Sequence, residues 1–127
     1  MAPSRGADAA AITGYHAHIY YDEGSRERAE WLREQLGRRF EVVLGRWREE
    51  PVGPHPQAMY QVAFAVAEFA RIVPWLMVNR QGLVILVHPE TGDAVADHDV
   101  HPLWLGEKLD LDIDTLRALL ASGATGA

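Results

Sequence analysis

Tyr15-His16-Ala17-His18-Ile19-Tyr20-Tyr21 is the stretch from which both the fold and the chemistry of this 127-residue chain are read. Its aromatic and β-branched residues suit a β-strand. Alternate residues of a strand share a face, so Tyr15, Ala17, Ile19 and Tyr21 form one side and His16, His18 and Tyr20 the other. The more apolar set is expected to meet the core. Both histidines then stand on the opposite face with Cα atoms ~6.5–7 Å apart, close enough to hold one metal ion between them. The plainer alternative is two half-exposed polar residues on a solvated sheet.

Outward from that strand, Asp22-Glu23-Gly24-Ser25 reads as a turn in which Ser25 opens a helix. Ala29, Trp31, Leu32 and Leu36 give helical spacing over residues 26–39. Phe40 to Trp47 is expected to be a second strand, and the proline-rich run from Arg48 to Pro56 a loop. Ala58 to Phe64 reads as a third strand. Ala67 to Asn79 reads as a second helix that Pro74 should bend or split, closed by Gly82. Leu83 to Val87 is a short apolar fourth strand, His88 to Gly106 mostly loop, and Leu111 to Ala121 a C-terminal helix. Residues 1–12 are expected to be a disordered leader, 13–121 a single domain, and 122–127 a frayed tail.

Strand, helix, strand, strand, helix, strand is the ferredoxin-like α+β pattern. It predicts a four-stranded antiparallel sheet in spatial order 4-1-3-2 with both helices on one face. The other face is left without cover, to be wet, functional or buried against a second subunit. Strand four runs antiparallel to strand one, which brings His88 close to His16. His16, His18 and His88 are therefore the tightest triple that topology assembles. His55 reaches the same face from its loop. Gln61 joins it if Tyr60, Val62 and Phe64 are the core residues of strand three.

Neutral imidazoles that leave a coordination position open are the usual first shell of zinc and non-haem iron. Glu90, Asp93 and Asp97 are the nearest carboxylates in sequence, and Asp97 stands where it could orient His98. Arg46 with Trp47 could bind a carboxylate and stack an aromatic ring. A net charge of −6 without a basic stripe argues against nucleic acid. With no cysteine there is no disulfide, thiolate site or cysteine nucleophile. No apolar run reaches membrane-spanning length, and residues 1–12 lack the apolar core of a signal peptide. A cytoplasmic protein is expected. No phosphate loop or serine elbow is present.

The segments His16-Ala17-His18-Ile19-Tyr20-Tyr21, Gly45-Arg46-Trp47, Pro51-Val52-Gly53-Pro54-His55-Pro56, Met59-Tyr60-Gln61-Val62, Leu86-Val87-His88-Pro89, Asp97-His98 and Trp104-Leu105-Gly106 together resemble the DOPA 4,5-dioxygenase family. The resemblance spans about residues 14 to 110 and includes every histidine-bearing segment but His101. It implies a ferredoxin-like homodimer formed across the open sheet face. It also implies extradiol cleavage of L-DOPA or a related catechol by O₂ at Fe(II), with Zn(II) able to occupy the site in purified samples. In those terms His16, His18 and His88 are the expected metal ligands. His55 and His98 are expected as acid–base residues or a fourth ligand, since a metal-free imidazole suits the task of taking a catechol proton. Arg46, Gln61 and Tyr20 are the expected substrate contacts. Competing readings are a non-catalytic ferredoxin-like dimer that binds a metal or small molecule, and a zinc isomerase or hydrolase that needs no oxygen.

Overall fold

The computed structural model describes residues 6–123; residues 1–5 of the expected leader and 124–127 of the expected tail lie outside the described residues. Strands β1 (Tyr15–Tyr20), β2 (Val43–Leu44), β3 (Met59–Phe64), β4 (Ile85–Pro89) and β5 (Leu103–Leu105) form one sheet in the order β2-β3-β1-β4-β5. All neighbours are antiparallel. The expected 4-1-3-2 order is present, with a fifth strand added beside β4. Leu103–Leu105 lies in the stretch expected to be loop. Three residues carry no readable period, and this strand exists through its pairing with Ile85, Leu86 and Val87.

Helices α1 (Arg26–Arg39), α2 (Phe69–Asn79), α3 (Ala94–Asp99) and α4 (Ile113–Ala121) complete the described residues, with 3₁₀ turns at Ala9–Ala11 and Val66–Glu68. The second helix thus begins as a 3₁₀ turn, and Pro74 sits inside α2 without splitting it. The reversal after α2 is shared by Gln81 (φ 56°) and Gly82 (φ 75°). The second strand is much shorter than the expected Phe40 to Trp47. Val43 pairs with Ala63 and Leu44 with Val62, but Arg48 bridges Met59. Three residues of one strand therefore oppose two of the other, and the extra residue bulges the chain out of the ladder.

Ala17 and Ile19 of β1, with Tyr21 just beyond its end, pack with Tyr60, Val62 and Phe64 of β3, Ile85 and Val87 of β4, and Ala29, Leu32, Leu36, Ile72 and Leu76 of the two long helices. This is the core expected from the alternation. The opposite face is not bare. Tyr20, Met59 and Leu86 are buried there beneath Val52, Val84, Trp104, Leu109 and Leu111. The chain after β4 folds back over the sheet, held where the Asp112 N–H donates to the Pro54 carbonyl at 2.8 Å. The expectation of a face left without cover is corrected by that segment. Its cover removes the exposure on which a homodimer through this face was expected.

Candidate metal centre

Strand register places three of the histidines, His16, His18 and His88. His16 stands opposite His88 across the β1–β4 ladder, and His18 opposite Gln61 across the β1–β3 ladder. His88 lies within β4 rather than beyond its end. His55 comes from the proline-rich loop, where its N–H donates to the Val52 carbonyl at 3.1 Å. His98 is delivered by α3, whose first turn is capped by the Asp93 carboxylate accepting from the Ala96 N–H. This segment was expected to be loop, although an Asp before Ala94-Val95-Ala96 is an N-cap signal.

The five rings form one cluster. Ring centroids lie 5.1 Å apart for His16 and His88, and 4.2 Å apart both for His18 with His55 and for His88 with His98. His18, His55, His88 and His98 are 0%, 2%, 1% and 7% exposed, so charged imidazoles there would be almost unhydrated. Two overlapping triples have donor atoms within 4.8 Å of one another, His16-His18-His88 and His18-His55-His98, with His18 common to both. His101 is exposed and stands outside both.

Hydrogen bonds decide which nitrogens offer lone pairs. His88 Nδ1 lies 2.9 Å from the Pro89 carbonyl and His98 Nδ1 2.7 Å from the Ala94 carbonyl. A carbonyl only accepts, so both rings are protonated at Nδ1 and carry a lone pair on Nε2. His16 Nδ1 lies 3.0 Å from Glu90 Oε1, which places its proton at Nδ1 in the same way. His18 Nε2 sits 3.0 Å from His88 Nε2. Two nitrogens bound at ~2.1 Å to one ion stand about 3.0–3.4 Å apart, so this spacing also suits a shared metal. His18 Nδ1 and His98 Nε2 are buried with no hydrogen-bond partner. An unpaired buried acceptor costs about 1–3 kcal/mol, and a cation would satisfy both. The donor set therefore fits a divalent transition metal with imidazole ligands.

Electrostatics favours the neutral, ligating form. Burial, reinforced by the neighbouring rings, holds His18 well below the usual histidine range. Burial, with His98 close by, takes His88 down to about 3. Burial also lowers His98 against the opposing pull of its bond to Ala94, and lowers His16. Glu90 is pushed up by burial and by Asp97.

The Tyr20 hydroxyl is 2.7 Å from His55 Nδ1. Burial raises the Tyr20 pKa, which keeps the phenol protonated and able to donate. A protonated phenol both donates and accepts, so this bond orients the His55 ring without fixing which of its nitrogens carries the proton. Gln61 is half-buried beside His18 on the same face. Arg46 is exposed on the bulge after β2, and no contact ties it to His16, His18, His88 or His98. Trp47 belongs to the helix side of the sheet, edge-on to Tyr60 at 4.9 Å with the Arg26 guanidinium 4.4 Å from its ring. Asp97 does not orient His98; its carboxylate accepts from the Thr91 N–H at 3.0 Å and hydroxyl at 2.6 Å. An open cleft of about 430 Å³ runs past His16 and Glu90 to Glu41, Val43 and Ala63.

The Dopa 4,5-dioxygenase family model matches residues 15–115. The chain belongs to this family. Among its family relatives, a protein of Amanita muscaria named DOPA 4,5-dioxygenase is 32% identical over 83% of this chain and 50% of its own length. An uncharacterized 21.2 kDa protein of Botryotinia fuckeliana is 38% identical over 83% of this chain and 64% of its own length. The chain thus spans about half to two thirds of these curated relatives. A crystal structure of a candidate dioxygenase from Nostoc punctiforme is 60% identical, covers 90% of this chain and 99% of that one, and superposes with a TM-score of 0.89. No helix of the described residues is long and apolar enough to cross a membrane.

Proposed function

We propose that this chain is a metal-dependent extradiol dioxygenase that opens the ring of L-DOPA or a related catechol with O₂. One observation carries the reading: a buried cluster of neutral histidines with unpartnered lone pairs, in a chain of the Dopa 4,5-dioxygenase family. The metal assigned is Fe(II), and Zn(II) could take the same imidazole donors in a purified sample. When bound, iron would supply the redox chemistry that ring opening by O₂ requires.

His16, His18 and His88 hold the ion, and the Nε2 lone pair of His98 is the next donor at hand. His55 is assigned the acid–base role rather than a place on the metal, with Tyr20 holding its Nδ1. As a neutral imidazole, His55 has one unprotonated ring nitrogen, and that nitrogen is where it takes a catechol proton and becomes imidazolium. Tyr20 thereby acts on His55 rather than on substrate. Gln61 offers its amide beside His18, and the cleft at His16 is the way in. Glu90 and Glu41 line that cleft while Arg46 is exposed on its bulge, so no substrate contact is assigned to Arg46. A second placement of the ion, in the His18-His55-His98 triple, has one observation in its favour, since both orphaned imidazole nitrogens belong to that triple.

The test is oxygen uptake with a parallel visible spectrum, on Fe(II)-loaded protein offered L-DOPA and simpler catechols. Consumption of one O₂ per catechol with a growing yellow product supports ring cleavage. Silence with every catechol at full iron loading supports a binding module instead.

A further inference from the structure

We propose that Glu90 is a positioning residue that holds His16 in the tautomer and orientation needed to bind metal through Nε2. The inference rests on the reading of His16 as a ligand. The Glu90 Oε1 atom lies 3.0 Å from His16 Nδ1, within hydrogen-bond distance, and 3.6 Å from His88 Nδ1, beyond it. His88 gives its proton to the Pro89 carbonyl instead. Glu90 therefore serves His16 alone, as Pro89 serves His88 and Ala94 serves His98. Imidazole ligands characteristically donate their second N–H to such an oxygen, and losing it weakens the site.

The carboxylate is held in place from its own backbone. The Glu90 N–H donates to the Gly14 carbonyl at 2.9 Å, and the Glu90 carbonyl accepts from the Thr13 N–H at 2.9 Å and hydroxyl at 3.1 Å. These bonds extend the β1–β4 ladder by one pair and fix Glu90 two residues from His88. His16 needs such a support more than the other rings do, because it is the half-exposed member of the cluster and borders the open cleft. Glu90 approaches from the Nδ1 side, the side of the ring away from the Nε2 donor, so it is not itself a ligand.

The experiment is an equilibrium titration of wild type, Glu90→Ala, Glu90→Gln and His16→Ala with Zn(II), and with Co(II) followed by its visible spectrum. Wild type is expected to bind one ion and His16→Ala to bind far more weakly. Glu90→Ala should weaken binding about ten- to one-hundred-fold. Glu90→Gln, whose amide oxygen still accepts from Nδ1–H, should recover part of that loss and keep the wild-type Co(II) spectrum. Unchanged affinity in Glu90→Ala beside a weakened His16→Ala would overturn the role of Glu90 and leave the metal centre standing. A Co(II) spectrum altered in Glu90→Gln would overturn it too, by making Glu90 a ligand. No binding by wild type would overturn both readings. Far-UV circular dichroism of each variant separates loss of the site from loss of fold, and Glu90→Gln keeps the question open to measurement if Glu90→Ala fails to fold.

Discussion

His18 is the ring on which the site depends, because it belongs to both histidine triples and its own surroundings offer nothing to its Nδ1. His18→Ala is expected to retain less than a tenth of the wild-type metal, measured by elemental analysis after dialysis. His16→Ala and His98→Ala separate the two placements of the ion. The proposed placement predicts the larger loss of affinity from His16→Ala, and the alternative placement predicts it from His98→Ala. Tyr20→Phe removes a single hydroxyl from a buried ring and leaves the metal ligands untouched. Its metal affinity should stay within about three-fold of wild type while kcat falls by roughly ten-fold, the scale on which an orienting partner acts. Equal losses in metal affinity and kcat would mean that Tyr20 supports the ligands rather than His55. At this scale the sequence was informative about identity and weak about protons. Alternation along β1 places His16 and His18 on one face, but only the contacts with Pro89, Ala94 and Glu90 decide which nitrogen of His88, His98 and His16 is available.

At the scale of elements, the long periodic segments were legible and the short ones were not. The spacing of Ala29, Leu32 and Leu36 gives α1, and the alternation of Tyr60, Val62 and Phe64 gives the core face of β3. β5 has three residues and α3 six, too few for a period to emerge. Both are held by residues outside themselves, β5 by β4 and α3 by a local latch in which the buried Asp97 carboxylate grips Thr91 just before the helix. That latch fixes the helix carrying His98. Asp97→Asn keeps the shape but weakens both bonds, and Asp97→Ala removes them. A loss of about 1–3 kcal/mol in Asp97→Ala is expected from a chemical denaturation curve, since the Thr91 N–H and hydroxyl lose their acceptor. Stability unchanged within error would show that α3 is held by its packing alone. The early end of β2 has a different cause: the extra residue between Leu44 and Arg48 has no counterpart opposite and turns Arg46 outward.

Over the whole molecule, the sheet is a two-sided support, with an apolar core against the long helices and a polar, buried cluster under the returning C-terminal segment. Burying neutral histidines makes the metal-free protein sensitive to acid. His88 titrates near pH 3 when folded and near ~6.5 when unfolded, so between those values only the unfolded chain binds the proton. Unfolding free energy therefore rises with pH across that window. The contribution is fully present above ~6.5 and is lost as the pH falls, at about 1.4 kcal/mol per pH unit for each such ring. Melting curves of the metal-free protein should show Tm falling from pH 7 to pH 5, and a flat profile would mean that the rings are hydrated. Added metal should raise Tm at pH 7 and lose its effect as the pH falls. The measurement that bears most directly on the metal centre is a crystal structure of the anaerobically Fe(II)-loaded protein with anomalous data at the iron edge. One peak is expected among the five rings, bonded to the Nε2 atoms of His16 and His88 together with His18, with His55 still held by Tyr20. Full iron loading with no peak in that cluster would contradict this assignment.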